Sequence, residues 1–129
     1  MAVLDPAVTA LLAGPNYAHL ATIMPDGSPH SVPLWVGVAG DRVAFLTGPE
    51  SRKARNIARD PRVALSVTDH EQPFTMATIR GQVTGRLDGE RAWEIIDQIS
   101  QVYTGGPYPE CSGRVVFLIT PEHVTTTAY

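Results

Sequence analysis

The chain has 129 residues, 43% hydrophobic and 18% charged, with a formal net charge of -3. This is the profile of one folded domain, 1–129, neither disordered nor fibrous and too short for a separate cofactor domain. Its acidic balance offers no continuous basic face for a nucleic-acid duplex, and apolar runs such as VVFLI at 115–119 fall far short of a bilayer span.

The first residues, MAVLDPAVTALLAG, lack the basic start and cleavage signature of a secretory leader, so a cytoplasmic location is expected. They read instead as a short helix, capped by Asp5 with Pro6 in its first turn and stopped by Gly14-Pro15. YAHLATI (17–23) and HSVPLWVGV (30–38) flank the turn signal Asp26-Gly27 and read as a β-hairpin. Gly40-Asp41 turns the chain into RVAFLT (42–47), a third strand of the same meander. Ser51 can cap a helix that runs to about Arg59, where Asp60-Pro61 ends it, and RVALSV (62–67) returns to a strand.

FTMATIRGQVTGRL (74–87) is long for one strand, and Gly81 and Gly85 mark places where it bends. Asp88 caps a longer helix with Ala92, Trp93, Ile96, Ile99, Val102 and Tyr103 on one face. TGGPYPECSG (104–113) is a loop by composition, and RVVFLIT and VTTTAY form a last strand pair around Pro121-Glu122-His123. About seven strands joined mostly by tight turns argue for an α+β antiparallel barrel. Strands apolar on both faces, such as VVFLI and VPLWV, imply that its outside is also covered, and a homodimer packed sheet to sheet would supply the cover.

Five of the ten basic residues lie in GPESRKARNIARDPRV (48–63). Ser51, Arg52 and Lys53 are bunched where helix N–H groups are unpaired and the dipole already favours an anion. Cations are unfavourable for the helix there, so their presence points to a bound anion, and a hydroxyl beside a guanidinium suits phosphate oxygens. Neither GxGxxG nor GxxxxGK[ST] occurs, so the anion is held by neither a Rossmann fingerprint nor a P-loop. Paired carboxylates, a Ser/His/Asp triad and a metal-ligand cluster are absent from the pattern, no metal is expected, and no catalytic side chain is assigned. The single cysteine, Cys111, reads as structural or incidental. His19 and His30 read as strand histidines, and His70 as a loop residue.

FLTGPESRKARNIARDPRVALSV (45–67) resembles the cofactor-phosphate segment of the pyridoxamine 5'-phosphate oxidase-like split β-barrel superfamily. LATIMPDGSPHSVPLWV (20–36) is similar to that family's first hairpin and RVVFLITPEHV (114–124) to its final strands, so the resemblance covers nearly the whole chain. It implies a split-barrel homodimer with two flavin-like cofactors at the subunit interface. Thr47, Ser51, Arg52 and Lys53 would hold the cofactor phosphate, with Asn56 nearby. Ser31, Val32, Pro33 and Leu34 would run along the tricyclic ring with their backbone amides at its polar edge, and Pro33 and Trp35 would shape the pocket.

The C-terminal Arg/His motif that grips vitamin B6 phosphate in the true oxidases is absent. PDGSPHSVPLWV and ARNIARDPRV look more like the branch that uses coenzyme F420, a phosphorylated deazaflavin with an acidic tail that Arg55 and Arg59 could meet. Where that branch often has a tryptophan near Thr127, this chain has VTTTAY, with Tyr129 as the substitute. The resemblance thus implies an oxidoreductase passing hydride from reduced F420 to an activated double bond of a small substrate. An FMN-dependent oxidoreductase of the same fold and a non-catalytic flavin or deazaflavin carrier are the alternatives. Tyr103, Tyr108 and the TGGPYP loop are candidates for the substrate pocket's wall.

Overall fold

The computed structural model describes residues 1–110 and 112–128, so the expectations placed on Cys111 and Tyr129 fall outside the described residues. The elements in chain order are α1 (Pro6–Ala13), β1 (Ala18–Ile23), β2 (Pro29–Leu34), β3 (Val36–Ala39), β4 (Arg42–Thr47), α2 (Arg52–Arg59), β5 (Arg62–Thr68), β6 (Met76–Leu87), α3 (Gly89–Thr104) and β7 (Val115–Thr127). All strands pair antiparallel in a seven-stranded sheet of order β2-β1-β5-β6-β7-β4-β3.

That order curls the sheet. β2 and β3 lie at opposite edges of the sheet, yet only Trp35 separates them in the chain. Two virtual Cα bonds of about 3.8 Å each cannot bridge the width of a flat seven-stranded sheet, so it curls into a split barrel that brings Leu34 and Val36 together while β2 and β3 stay unpaired with each other. The curl is made in β6, where the β6–β7 register shifts at Arg80/Gly81 and at Val83/Gly85, the two glycine positions at which a bend is expected. A Cβ at Gly81 would lie 2.1 Å from the Thr120 carbonyl oxygen, so only glycine permits this approach.

Inside the barrel, Leu20, Leu34, Val36, Val43, Phe45, Leu65, Val67, Ile79, Phe117 and Ile119 form the main core, joined by Val8, Leu11 and Leu12 of α1 and Ala54 and Ile57 of α2. A second cluster lies outside it, where Ala92, Ile96 and Ile99 of α3 cover Ala44, Val116 and Leu118. The outward apolar face of VVFLI is therefore covered by the chain's own helix, and the inference of a partner from that strand does not hold. Gly37 lets α3 come close to β3, since a Cβ there would meet Ile99 Cγ1 at 2.9 Å.

Four further expectations are corrected. HSVPLWVGV is two edge strands, because the chain leaves one side of the seam at Leu34 and enters the other at Val36. VVFLITPEHVTTT (Val115–Thr127) is one strand, because Pro121 sits opposite Gly81 at a register shift, where its missing N–H and its ring are tolerated. Asp88 precedes α3 without a side-chain capping bond and its carboxylate accepts from Arg86 instead, whereas Asp5 and Ser51 cap their helices by accepting from Val8 N and Ala54 N. Val102, expected on the packed face of α3, is 43% exposed and borders a groove between that helix and β3.

Candidate functional site

The basic segment follows directly from β4. Thr47, the last residue of that strand, is buried, and its hydroxyl donates to Ser51 Oγ at 2.8 Å, while the same Oγ accepts the Ala54 N–H at 3.2 Å. With its oxygen accepting twice, Ser51 keeps its own proton to donate outward. Arg52 and Lys53 open α2, and no acidic residue stands in that first turn. Among the described residues neither cation has an anionic partner.

Burial, then the charge of Arg114, pulls the Lys53 ammonium below the ordinary lysine range. The pairing of Thr47 with Val115 is what brings residue 114 to this corner. A depressed lysine pKa means that the unfolded chain binds the proton more tightly, so stability rises with pH across the interval between the folded and ordinary values and is lower beneath it. Lys53→Met is therefore expected to raise the stability of the ligand-free protein at neutral pH and to flatten that alkaline rise, as urea unfolding across pH would show.

Asn56 is fully buried and does not face the corner: its Nδ2 donates to Thr22 Oγ1 at 3.0 Å and lies 3.4 Å from Met24 Sδ, tying α2 to the first hairpin, while its Oδ1 has no partner among the described residues. Arg55 is exposed, Arg59 donates to the Ile23 carbonyl, and Arg62, the first residue of β5, pairs with Asp60 at 2.8 Å and holds that carboxyl down at about 2.

On β2, Ser31 and Pro33 point outward, and Val32 and Leu34 pack inward with the core, so Val32 and Leu34 could meet a ligand only through their backbone. β2 pairs only with β1, and alternate peptide groups on its other side have no strand to bond. Trp35 stacks on Tyr103 with centroids 5.0 Å apart and planes 11° from parallel, and it meets Tyr108 edge-on at 6.2 Å. Tyr103 is held by donating to the Asn16 carbonyl at 2.6 Å and accepting from Val36 N at 3.2 Å. Trp35, Leu46 and Tyr108 line a cavity of about 150 Å³. Leu46 and Thr47 point to opposite faces of β4, and what links this aromatic cavity to the basic corner is the contact of Tyr108 Oη with Arg114 Nε at 3.3 Å. His70 anchors its loop, with backbone N and ring Nδ1 donating to Asn16 Oδ1 at 2.8 and 2.9 Å.

The model of the pyridoxamine 5'-phosphate oxidase family matches residues 4–128. The chain belongs to that family. A pyridoxine/pyridoxamine 5'-phosphate oxidase from Cupriavidus pinatubonensis is 44% identical over 100 residues, 77% of this chain and 42% of that protein. The chain thus spans less than half the length of that relative. Among solved structures, an F420 reductase superposes with a TM-score of 0.79 at 30% identity, covering 90% of this chain and 94% of that one. A conserved hypothetical protein from Mycobacterium tuberculosis gives 0.81 at 25% identity, covering 98% and 86%. The split-barrel expectation and the family resemblance are borne out, and the likeness extends to a solved F420 reductase.

Sequence reasoning missed Arg114. Its Nε donates to Tyr108 Oη at 3.3 Å, its Nη1 to the Gly113 carbonyl at 3.0 Å, and its Nη2 lies 3.4 Å from Glu110. Only the antiparallel register reveals it, because nothing local distinguishes an arginine at the start of a strand. Among the described residues no group of three or more His, Cys, Asp or Glu side chains converges, and no helix is long and apolar enough to cross a membrane.

Proposed function

We propose that this protein is an oxidoreductase that binds a phosphorylated deazaflavin, coenzyme F420, and reduces an activated double bond of a small organic substrate. The observation that carries the reading is the pair of cations, Arg52 and Lys53, unpartnered among the described residues, in the first turn of α2 beside the Ser51 hydroxyl. A half-buried ammonium that feels the like charge of Arg114 and has no anionic partner among the described residues is stabilised by a phosphate.

Thr47 would set the Ser51 rotamer, Ser51, Arg52 and Lys53 would hold the phosphate, and the open edge of β2 from Ser31 to Leu34 would offer N–H and C=O groups to the ring. Pro33 contributes no N–H and presents its ring outward beside Ser31. Asn56 would act at a distance, fixing α2 against β1. When bound and reduced, the cofactor supplies the hydride; the protein's part is orientation, electrostatics and exclusion of water. The rigid Trp35–Tyr103 stack and Tyr108 suit a wall for a flat, apolar substrate.

The F420 reading is supported by the likeness to an F420 reductase over nearly both chains and by exposed Arg55, placed to meet an acidic tail. FMN is the second reading, supported by the identity to pyridoxine/pyridoxamine 5'-phosphate oxidases. A homodimer in the cytoplasm belongs to the same proposal. The outer rows His19-Ser66-Thr78-Thr125 and Ala21-Ala64-Arg80-His123 carry several small side chains, and Ala21, Ala64 and Gly81 line a groove of about 320 Å³ suited to a second copy.

Fluorescence titration with F420 and with FMN, followed by enone acceptors, tests the function. F420 binding with turnover is expected. FMN binding without F420 binding would replace the first cofactor by the second, and F420 binding with no turnover on any acceptor would leave a carrier.

A further inference from the structure

Arg114 lies outside the residues that the family motifs mark, yet it stands at the same corner. Antiparallel pairing of β4 with β7 sets Thr47 opposite Val115, which puts the preceding arginine beside the turn that leads into α2. A Cβ built on Gly48 would lie 3.8 Å from Arg114 Nη1, so the guanidinium rests against the loop joining Thr47 to Ser51.

From there its charge reaches Lys53. Burial and this like charge disfavour the Lys53 ammonium, while the Tyr108 hydroxyl and Glu110 favour the Arg114 guanidinium where it stands. Arg114 is held where it is, its side chain 33% exposed, by Tyr108 Oη and the Gly113 carbonyl, with Glu110 on its outer side. Among the described residues these partners leave two of the five N–H donors of the guanidinium free.

We infer that Arg114 is a further arm of the cofactor-phosphate clamp, supplied from the start of β7 and facing Arg52 and Lys53 across the bound phosphate. The inference rests on the phosphate reading above. Because Arg114 also bonds Tyr108, which walls the aromatic cavity with Trp35 and Leu46, it sets the position of that ring relative to the phosphate. A cofactor phosphate in the corner and a flat substrate against Tyr108 would meet the two ends of this one contact.

The test compares FMN with riboflavin, and F420 with its phosphate-free riboside, by fluorescence titration on wild type, Arg114→Ala, Arg114→Gln and Lys53→Ala. Arg114→Gln keeps length and a donor for Tyr108, and it serves if the alanine variant does not fold. Loss of Arg114 is expected to weaken the phosphorylated ligand by about ten- to a hundredfold and to leave the phosphate-free ligand within about twofold. Equal weakening of both ligands would mean that Arg114 only supports the fold, and no weakening would place it outside the site; either overturns the inference while a Lys53→Ala defect keeps the phosphate reading. Failure of wild type to bind any phosphorylated ligand, or indifference of Lys53→Ala, removes the reading and the inference together.

Discussion

Replacing Arg52 and Lys53 together by alanine is expected to weaken binding of the phosphorylated cofactor by about two to four orders of magnitude. Each charge-assisted hydrogen bond to phosphate contributes about 1.5–3 kcal/mol, and about 1.4 kcal/mol corresponds to tenfold in affinity. The fold should survive the change: the α2 cap is made by Ser51, and the helix is seated by Ala54, Ile57 and the Asn56 bond to Thr22, none of which involves either cation. Alanine is also the stronger helix former, and removing Lys53 relieves a desolvated charge. Affinity and stability are thus expected to move in opposite directions. Isothermal titration paired with urea unfolding reads both, and an affinity within threefold of wild type would show that the phosphate is not held at the start of α2.

Gly81→Ala is expected to destabilise the protein by about 3 kcal/mol or more, a large part of the 5–15 kcal/mol typical of a domain of this kind. The new Cβ would stand 2.1 Å from the Thr120 carbonyl oxygen, with the Thr120 carbonyl carbon at 3.1 Å and Pro121 Cα at 3.2 Å. All three atoms are backbone of the paired strand, so relief requires β6 and β7 to separate at the bulge that curls the sheet. Gly85→Ala is the control: its nearest neighbours are the Arg42 and Leu118 side chains at 3.1 and 3.3 Å, which can turn aside, and about 1 kcal/mol is expected. Urea denaturation measures both. A Gly81→Ala midpoint close to that of wild type would mean that the close approach is not what shapes the barrel.

Features governed by neighbouring residues were legible before the fold was known. Asp5 and Ser51 were readable as caps because a cap bond spans three residues, and Gly81 and Gly85 as bends because a strand interior has few other uses for glycine. What escaped was set by distant pairing. A jump across the barrel at Trp35 leaves no local mark, since HSVPLW and WVGV read equally well as one strand. Pro121 looked like a break because its tolerance depends on Gly81 in another strand. In the site, Ser51, Arg52 and Lys53 stood out through charge at the wrong helix end, whereas the inward turn of Asn56 and the arrival of Arg114 were decided by packing of α2 on β1 and of β7 on β4.

The position of β7 also governs the order in which this sheet can form during synthesis. β7 lies between β6 and β4, so before it emerges the chain holds two pieces with no strand pairing between them, the hairpin of β3 with β4 and the sheet of β2, β1, β5 and β6. Each piece then presents an unpaired edge, at β4 and at β6, to any other nascent chain nearby. Synthesis of the last strand joins the pieces and removes both edges at once, so chains stalled before Val115 should be the ones that depend on a chaperone.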